Sequence, residues 1–480
     1  MNTILELENI IPQKEFAKFS TPINLKIKSS QHWAFIGPNG AGKSLLIEIL
    51  LGKYAIKEGK IMYKKKCNNL FNYVKMVAFR NIHSLSKIQN SYYQQRWNMG
   101  LDDQTPKVKD LLFKNTDLRW MEYLISIFGI EDLIEKNVDL LSSGELRKFL
   151  IIQALSYQPK ILILDNPYIG LDTNARQVLD QILIDLKNLH NLQIILLVSE
   201  IADISSIITH VLPIKNKTLF PSLPTQDFLL DKKLQNELFP CIKYDKKLIP
   251  PSLNQPKDIN YKYALQLKSI NIRYNNRTIL KNLSWKVQKG EKWALSGPNG
   301  SGKSTLLSVI AADNPQAYAN NIILFDKKRG TGESIWDIKK HLGYISPEMH
   351  LYYQKNVSCL EVVGSGFFDT IGLYRKCDKE QVRTSIQWMK TFGIENLKNS
   401  SFLTISNGEQ RLVLLARVFV KNPSLIILDE PLHGLDMSNK FRVIQIIEEF
   451  CDSNKSLIYV THQKEELPTL INQEFILTKQ

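Results

Sequence analysis

Two parts of the chain repeat the same order of apolar and polar residues. In each, an apolar run typical of a buried strand, HWAFI at 32–36 or KWALS at 292–296, leads into a glycine-rich turn and then into a helix-like run, KSLLIEIL or KSTLLSVI. Farther along, the apolar runs ILILD (161–165) and LIILD (425–429) each follow a second helix-like segment and end in aspartate. Strands that alternate with helices in this way predict an α/β fold.

The repeated motifs lie at a nearly constant distance from each other. GPNGAGKS at 37–44 returns as GPNGSGKS at 297–304, an offset of 260, and LSSGELRK from Leu141 returns as ISNGEQRL from Ile405, an offset of 264. This order and spacing indicate a tandem duplication. A chain of 480 residues also exceeds what one hydrophobic core usually supports, so we expect two domains.

The boundary between these domains is predicted from proline. Residues 213–260 contain seven prolines, which exclude one long helix and indicate a linker. We therefore expect the first domain to cover 1–212 and the second to cover 261–480.

The two glycine-rich turns match the phosphate-binding pattern GxxxxGKS, in the strand–loop–helix context that this pattern requires. Their glycines let backbone N–H groups converge on an anion at the positive end of the following helix. Lys43 and Lys303 are then expected to reach the terminal phosphates of ATP, and the hydroxyls of Ser44 and Ser304 to hold Mg²⁺. The predicted ATP-binding residues of the loops are Gly37, Pro38, Asn39, Gly40, Ala41, Gly42, Lys43, Ser44, Gly297, Pro298, Asn299, Gly300, Ser301, Gly302, Lys303, Ser304 and Thr305.

Carboxylates follow the second apolar run of each copy. Asp165 and Asp429 end these predicted strands, where a carboxylate can hold Mg²⁺ through its water shell. Glu430 comes next in the second copy and is predicted to accept a proton from the water that attacks the terminal phosphate. The first copy has Asn166 at this position.

These motifs together resemble the ATP-binding cassette (ABC) superfamily, through the phosphate loops, the LSSGE and ISNGE segments and the GLD after each aspartate. The resemblance implies two tandem P-loop NTPase domains in a pseudo-twofold arrangement that hydrolyse ATP with Mg²⁺. It also implies that each ATP contacts the signature segment of the other domain. These signature residues are Ser142, Ser143, Gly144, Ser406, Asn407 and Gly408.

The second half, from Tyr261 to Gln480, is also similar to the tandem cassette ATPases named for molybdate transport (ModF), which are labelled photorepair proteins as well. The run LFDKKRGTGESIWDIKKHLGYISPEMHLYY and the later GSGFFDTIGLY carry this similarity.

The resemblance implies that the two ATP sites are unequal. His462 occupies the switch position of the family in the second copy, whereas its counterpart in the first copy is Glu200, which repels a phosphate when ionised. Asn166 also lacks a basic lone pair. We therefore expect ATP hydrolysis mainly at Glu430, assisted by His462, and binding with slow hydrolysis in the first half. Sequence drift without a functional role is the alternative.

Further positions depart from the family pattern or differ between the copies. Tyr274 lies where the superfamily usually stacks an aromatic ring on adenine. The equivalent position of the first half is Lys14, and Phe16 is the nearby ring that could stack on adenine there instead. The superfamily usually has a glutamine after the next strand. This chain has no glutamine there: the residues that could occupy its position are Pro347 and Glu348 in the second half, and Arg80 and Asn81 in the first. Ser143 and Asn407 also replace the usual signature glycine.

Charge and cysteine content change the functional picture little. The formal net charge is +15, which suits an acidic partner, but Lys is spread through the chain alongside much Asn and Ile, which favours compositional bias. The five cysteines show no CxxC spacing, so neither a disulfide framework nor a zinc site is predicted.

The cellular role remains open between classes of function. We expect a cytoplasmic ATPase that supplies energy to a transport system, including one peripheral at the inner face of the cell membrane. The permease would be encoded separately, because no apolar run in this chain is long enough to span a bilayer. The alternative is a ribosome-associated ABC-F-like translation factor. It ranks lower because that class separates its cassettes by a long helical arm, whereas the connector here is short and broken by prolines. A nucleic-acid repair role has no recognition motif to support it.

Overall fold

The computed structural model describes residues 3–63, 73–79, 106–113, 117–138, 141, 143–169, 171, 173–188, 192–240, 247–249, 260–274, 277–298, 300–332, 334–347, 349–353, 356–371 and 375–478. The chain divides into two compact units, and the change from the first to the second falls at 241/242. Each unit has mixed α/β structure, which confirms the predicted fold class.

The first unit contains two sheets. Its strands are β1 (Thr3–Pro12), β2 (Ile23–Lys28), β3 (Trp33–Ile36), β4 (Ile56–Tyr63), β5 (Val74–Ala78), β6 (Ile161–Asp165), β7 (Gln193–Val198), β8 (His210–Lys215), β9 (Thr218–Leu219) and β10 (Leu223–Pro224). Its α-helices are α1 (Lys43–Leu50), α2 (Val108–Leu112), α3 (Leu118–Phe128), α4 (Ser143–Leu155), α5 (Thr173–Lys187), α6 (Thr225–Leu230) and α7 (Lys232–Leu238).

The larger sheet of the first unit positions its candidate site. The strand order is β10-β8-β3-β7-β6-β5, with β9 paired to β8, and β8, β3, β7, β6 and β5 run parallel to their neighbours in this series. Every residue of β3, β6 and β7 is buried, as expected for parallel strands covered on both faces. The smaller sheet, β2-β1-β4, is antiparallel. The carboxyl ends of β3, β6 and β7 therefore meet at one edge of the larger sheet.

The second unit repeats this plan. Its strands are β11 (Tyr263–Tyr274), β12 (Arg277–Gln288), β13 (Lys292–Ser296), β14 (Asn321–Leu324), β15 (Lys327–Lys328), β16 (Leu342–Ile345), β17 (Leu425–Asp429), β18 (Ser456–Val460) and β19 (Gln473–Ile476). Its α-helices are α8 (Lys303–Ile310), α9 (Ile335–Lys339), α10 (Cys359–Gly364), α11 (Lys379–Thr391), α12 (Asn407–Phe419) and α13 (Met437–Phe450). A parallel sheet, β16-β17-β18-β13-β19, lies beside an antiparallel one, β12-β11-β14-β15.

The structure divides the chain differently from the expected linker at 213–260. Strand β8 continues to Lys215, and residues up to Leu238 form short strands and helices of the first unit. Pro213 lies within β8, where its carbonyl accepts a hydrogen bond from Phe220 N at 3.0 Å. At the other end, residues 247–249 belong to the second unit, since the Glu449 carboxylate accepts from Leu248 N at 2.8 Å and from Ile249 N at 3.0 Å.

None of the helices within these described ranges is long and apolar enough to cross a membrane.

Candidate functional site

The first phosphate loop connects β3 to α1 in the predicted place. Gly40 and Gly42 have φ angles of 74° and 107°, in the left-handed region that favours glycine. A Cβ on Gly37 would lie 1.9 Å from Ile214 O, so the strand end and β8 approach too closely for any other residue. Lys43 is 4 % exposed, and its Nζ donates to Gly37 O at 2.6 Å and to Pro38 O at 3.0 Å. The loop is thus already folded around the lysine.

The second loop has the same geometry between β13 and α8. Gly300 and Gly302 have φ angles of 76° and 95°, and Lys303 Nζ donates to Gly297 O at 2.6 Å and to Pro298 O at 3.1 Å. The other predicted loop residues that the structure describes lie in the same turn or at the helix start. They are Asn39, Ala41 and Ser44 in the first copy and Ser301, Ser304 and Thr305 in the second; Asn299 lies outside the described residues.

The predicted Mg²⁺ ligands of the first unit lie together. Asp165 is 1 % exposed at the end of β6, and its Oδ2 accepts a hydrogen bond from Ser44 Oγ at 3.1 Å. A hydroxyl beside a carboxylate gives hard oxygen donors, which Mg²⁺ prefers, so these residues fit the ion. In the second unit, Asp429 is buried at the end of β17 and Ser304 is exposed at the start of α8. This pair supplies the same donor types.

Glu430 follows Asp429 in a strained turn. Its φ is 50°, and its N–H donates to Val460 O at 3.0 Å, which fixes the turn against β18. A left-handed conformation costs a non-glycine residue about 1 kcal/mol or more, and such strain clusters at functional sites. The side chain points to His462, whose Nε2 lies 3.7 Å from Glu430 Oε1.

The environment of the Glu430 carboxyl favours its protonated form. Its pKa is raised to about 8, first by burial and then by the charges of Asp429 and Glu466, while Arg411 and Lys303 act in the opposite direction. Glu430 Oε1 is buried and has no hydrogen-bond partner among the described residues. An orphaned acceptor of this kind is where a water or ligand group belongs. When ionised, a carboxyl with a raised pKa is also the stronger base.

Asn166 occupies the corresponding turn of the first unit. Its φ is 51°, and its N–H donates to Leu197 O at 2.9 Å, as Glu430 does to Val460 O. Its Oδ1, however, lies 3.3 Å from Ser199 Oγ, which also lies 3.1 Å from Asn39 Oδ1. The acceptor that would face a water is thus an amide oxygen beside a protein hydroxyl. The strand register places Ser199, and not the predicted Glu200, at the position of His462. Leu197 pairs with Asp165 as Val460 pairs with Asp429, and Ser199 and His462 each lie two residues farther along.

Comparison with known proteins decides the family. The model of the ABC transporter family matches residues 20–169 and 280–433, once in each unit and including both phosphate loops. The chain belongs to this family. It is therefore a tandem ABC ATP-binding protein.

Relatives share the tandem arrangement over nearly their whole length. The ABC transporter ATP-binding protein ModF of Escherichia coli is 34 % identical over 471 residues, covering 94 % of this chain and 92 % of ModF. An uncharacterized ABC transporter ATP-binding protein of Schizosaccharomyces pombe is 27 % identical, covering 94 % of this chain and 93 % of the relative. The ModF similarity confirms the expected resemblance.

A solved structure shows the same tandem fold. It is a chain in the crystal structure of the complex of archaeal ribosomal stalk protein aP1 and archaeal ribosome recycling factor aABCE1. The TM-score is 0.56 and the sequence identity 17 %, over 98 % of this chain and 87 % of that one. At this identity the likeness concerns the fold alone.

The ABC signature segments lie at helix starts. Ser406 caps α12, because its Oγ accepts from Glu409 N at 3.4 Å and donates to Glu409 Oε2 at 2.7 Å; Asn407 and Gly408 form the first residues of the helix. In the first unit, Ser143 begins α4 and Gly144 follows, while Ser142 lies outside the described residues. The Ser406 hydroxyl is thus used as a helix cap here.

The adenine-stacking candidates differ in environment. Tyr274 ends β11 half-buried, its hydroxyl accepts from Asn314 Nδ2 at 2.7 Å, and burial raises its pKa. Lys14 Nζ lies 5.6 Å from the centre of the Phe16 ring, and that ring is 56 % exposed. Phe16 thus offers an open aromatic face in the first unit.

The other departures from the ABC pattern are only partly described. Pro347 O lies 2.9 Å from His350 Nδ1. Glu348, Arg80 and Asn81 lie outside the described residues.

Sequence reasoning missed two buried arginines that support the catalytic turns. Arg411 of α12 donates to the carbonyls of Asp429 at 2.6 Å, Glu430 at 2.5 Å and Pro431 at 3.2 Å. Arg147 of α4 likewise donates to Pro167 O at 2.5 Å and to Ile169 O. Their shared place, three residues after the signature glycine in GELR and GEQR, was the signal that could have found them.

Proposed function

We propose that this protein is an Mg²⁺-dependent ATPase that turns over mainly at Glu430, and that the first unit binds ATP but hydrolyses it slowly. One observation carries the proposal. Two turns with matching φ angles and backbone hydrogen bonds differ in what they present to the site. Glu430 presents a buried carboxyl oxygen with no hydrogen-bond partner among the described residues, whereas Asn166 presents an amide oxygen beside the Ser199 hydroxyl.

The residues of the second unit supply the hydrolytic chemistry. Lys303 donates its charge to the terminal phosphates, and Ser304 with Asp429 would hold Mg²⁺, which neutralises the phosphate charge when bound. The Glu430 carboxylate takes a proton from the attacking water, which the vacant lone pairs of Oε1 orient. His462, 3.7 Å away, lies close enough to Oε1 to help orient that water and the terminal phosphate.

The first unit keeps the binding groups without the base. Lys43 and the Ser44–Asp165 contact are present, so phosphate and Mg²⁺ have their ligands. The Asn166 amide cannot take a proton near neutral pH, and loss of a positioned base typically costs 10²- to 10⁴-fold in rate. Ser199 supplies a hydroxyl at the register position where the second unit has the His462 imidazole. Binding with slow turnover follows from this set.

The test compares ATP turnover and ATP stoichiometry in wild type, Glu430→Gln and Asn166→Gln. The two substitutions place the same side chain in the same turn of either unit. We expect Glu430→Gln to lower turnover at least 100-fold while two ATP molecules stay bound, and Asn166→Gln to leave turnover within twofold. Turnover that survives Glu430→Gln would reject Glu430 as the base. Binding of a single ATP by wild type would reject the binding role of the first unit.

We further propose that ATP turnover energises a transport system through a separately encoded membrane permease. The name of the ModF relative, an ABC transporter ATP-binding protein, supports this role. A second candidate, a ribosome-associated tandem cassette protein, is favoured by the exposed Lys and Arg side chains on the antiparallel sheet of the second unit.

The Glu430→Gln variant held in its ATP-bound state distinguishes the two roles. Flotation of this variant with membranes is expected for the transport role. Sedimentation with ribosomes instead would replace that role by the second candidate.

A further inference from the structure

The positive charge of the protein is unevenly placed. The four strands of the antiparallel sheet in the second unit, β11, β12, β14 and β15, contain no Asp or Glu. They carry six Lys and Arg side chains that the structure describes as exposed: Lys268, Arg273, Lys281, Lys286, Lys327 and Lys328. Compositional bias alone does not account for a sheet with cations and no carboxylate.

The strand register separates these cations by face. Lys327 pairs with the buried Leu324, whereas Lys328 alternates with Lys327 and lies on the outer face with Lys268 and Lys286. Residues that alternate with them on β11, such as Leu267 and Ile272, are buried, so Lys268 and Arg273 point away from the core. Lys286 pairs with Gln266, Gln266 with Ile323, and Ile323 with Lys328. Lys286 and Lys328 therefore end one row across all four strands, about 14 Å apart at three strand spacings.

The turn between β14 and β15 contains one carboxylate. Asp326 accepts from Lys262 N at 2.6 Å and from Tyr263 N at 3.1 Å, at the start of β11. Its single negative charge is smaller than the summed positive charge of the four strands, so the sheet keeps an excess of cations.

The first unit provides an internal comparison. Its antiparallel sheet, β2-β1-β4, contains four Lys and three Glu: Lys26, Lys28, Lys57, Lys60, Glu6, Glu8 and Glu58. Lys26 Nζ lies 2.9 Å from Glu6 Oε1. Two sheets of the same type in one chain thus differ in charge: the first has one more Lys than Glu, whereas the strands of the second have cations and no carboxylate.

We propose that the outer face of the β12-β11-β14-β15 sheet, which we call the cationic sheet, binds the phosphodiester backbone of double-helical RNA. Lys and Arg neutralise phosphates, and release of the condensed counterions drives such binding. Between the cations lie neutral side chains with amide groups: Gln266, Asn282 and Asn321. Amide groups contact phosphate oxygens, sugars and the 2′-hydroxyls that distinguish RNA from DNA.

The side chains on the sheet favour a duplex over the other polyanions. Binding of unpaired bases usually needs exposed aromatic rings for stacking, and membrane binding usually adds apolar side chains that enter the lipid. Among the described residues of these four strands, no large aromatic or aliphatic side chain is strongly exposed. A polar, cationic surface without strongly exposed rings suits recognition of a backbone by charge and shape.

The test measures binding of labelled RNA duplex of about 20 base pairs, long enough for the roughly 16 base pairs that a double-stranded RNA-binding domain covers. Mg²⁺ and ADP are present throughout, so that the phosphate loops do not compete for the RNA. Affinity is followed by fluorescence anisotropy from about 50 to 200 mM salt, the range over which counterion release changes affinity most visibly. DNA duplex, single-stranded RNA and phosphatidylserine vesicles are measured in parallel.

Two triple variants remove equal charge from the two sheets. Lys268→Gln/Lys286→Gln/Lys328→Gln alters the cationic sheet. Lys26→Gln/Lys28→Gln/Lys60→Gln, on exposed positions of the first unit, is the matched control. Both variants are checked for unchanged ATP turnover, which shows that they fold.

The proposal predicts different results for the two variants. The cationic-sheet variant should bind RNA duplex at least tenfold more weakly at about 100 mM salt, with the slope of log K against log salt reduced by two to three, since each lost phosphate contact contributes about 0.9. The control variant should stay within twofold of wild type. Equal loss in both variants, binding of DNA duplex, single strands or vesicles as tight as that of RNA duplex, or no RNA binding by wild type would each overturn the proposal. The inference does not rest on the assignment of hydrolysis to Glu430.

Discussion

The support of the catalytic turn by Arg411 gives a quantitative prediction. Its guanidinium is 6 % exposed and donates to four carbonyls, those of Ser346 at 2.7 Å, Asp429, Glu430 and Pro431. Arg411→Met keeps much of the side-chain volume but removes all four donors. Each carbonyl left buried without a partner costs about 1–3 kcal/mol. The low end of this range gives a loss of about 4 kcal/mol.

Desolvation of the guanidinium reduces that figure. Burial lowers the pKa of Arg411 to about 10, which shows that the fold disfavours its charge, and methionine removes this cost. We therefore expect Arg411→Met to lower the free energy of unfolding of the second unit by about 2–4 kcal/mol. Urea unfolding followed by hydrogen–deuterium exchange of peptides from β17 and α12 measures this change. ATP turnover should fall as well, because the carbonyl of Glu430 loses its anchor.

A second arginine of α12 separates local support from general destabilisation. Arg417 is 7 % exposed, and its Nε donates to Ser365 Oγ at 3.1 Å and its Nη2 to Thr370 O at 3.2 Å, away from the catalytic turn. Arg417→Met should destabilise the second unit but leave the turnover of the folded protein within about twofold. Stability and turnover of Arg411→Met equal to those of wild type would refute the proposed support, and so would equal turnover losses in both variants.

Three further predictions concern single contacts. Lys440→Met removes the 2.7 Å ion pair with Glu466, whose carboxylate also accepts a hydrogen bond from Thr461, the residue before His462. Because this carboxylate helps to position His462, steady-state kinetics should show a lower kcat with little change in KM. Gly37→Ala would place a Cβ 1.9 Å from Ile214 O, and equilibrium dialysis should show one bound ATP instead of two, with turnover retained. Burial lowers the pKa of His32 to about 4, so the protein loses stability as pH falls from about 6.5 towards 4, because only the unfolded chain takes up the proton. Over that range, urea melts should show that the free energy of unfolding of His32→Asn falls by up to about 3 kcal/mol less than that of wild type.

The central strands and phosphate loops were predictable because their signals are local. A fully apolar run such as ILILD has few alternatives to a buried parallel strand, and β6 covers it from Ile161 to Asp165. The glycine positions of GxxxxGKS follow from backbone geometry alone, and the positive φ angles of Gly42 and Gly302 agree with this. Such features need no knowledge of distant parts of the chain.

The contacts that the sequence did not predict depend on distant residues. The carbonyls that accept from Arg411 belong to residues 18 to 20 positions after it and 65 positions before it in the sequence. No local sequence pattern predicts contacts over such separations. The position of the linker was misjudged for a related reason. Pro213 counts toward an irregular segment in the sequence pattern, but in β8 its carbonyl still accepts a hydrogen bond and it pairs in register with Ile36 of β3. Proline content therefore did not mark where the first unit ends.

The paired turns also bear on whether the asymmetry has a role. Asparagine adopts positive φ more readily than glutamate, so the turn at Asn166 is less strained than the turn at Glu430, where the cost is about 1 kcal/mol or more. Burial of the Glu430 carboxyl adds to that cost, because its pKa is raised to about 8. Glu430 thus destabilises the second unit, although Asn166 in the first unit shows that another residue fits the same backbone turn.

Drift without function would not distinguish the two units in this ordered way. The first unit keeps the contact between Ser44 and Asp165 at 3.1 Å and the enclosed Lys43, which serve binding. It lacks two groups that the second unit has, the carboxylate base and the imidazole beside that base. Loss limited to the groups that move protons, with the phosphate and metal ligands intact, is what selection for a bound but slowly hydrolysed nucleotide would leave. This pattern supports the proposed division between a site that binds ATP and hydrolyses it slowly in the first unit and a site that turns it over in the second.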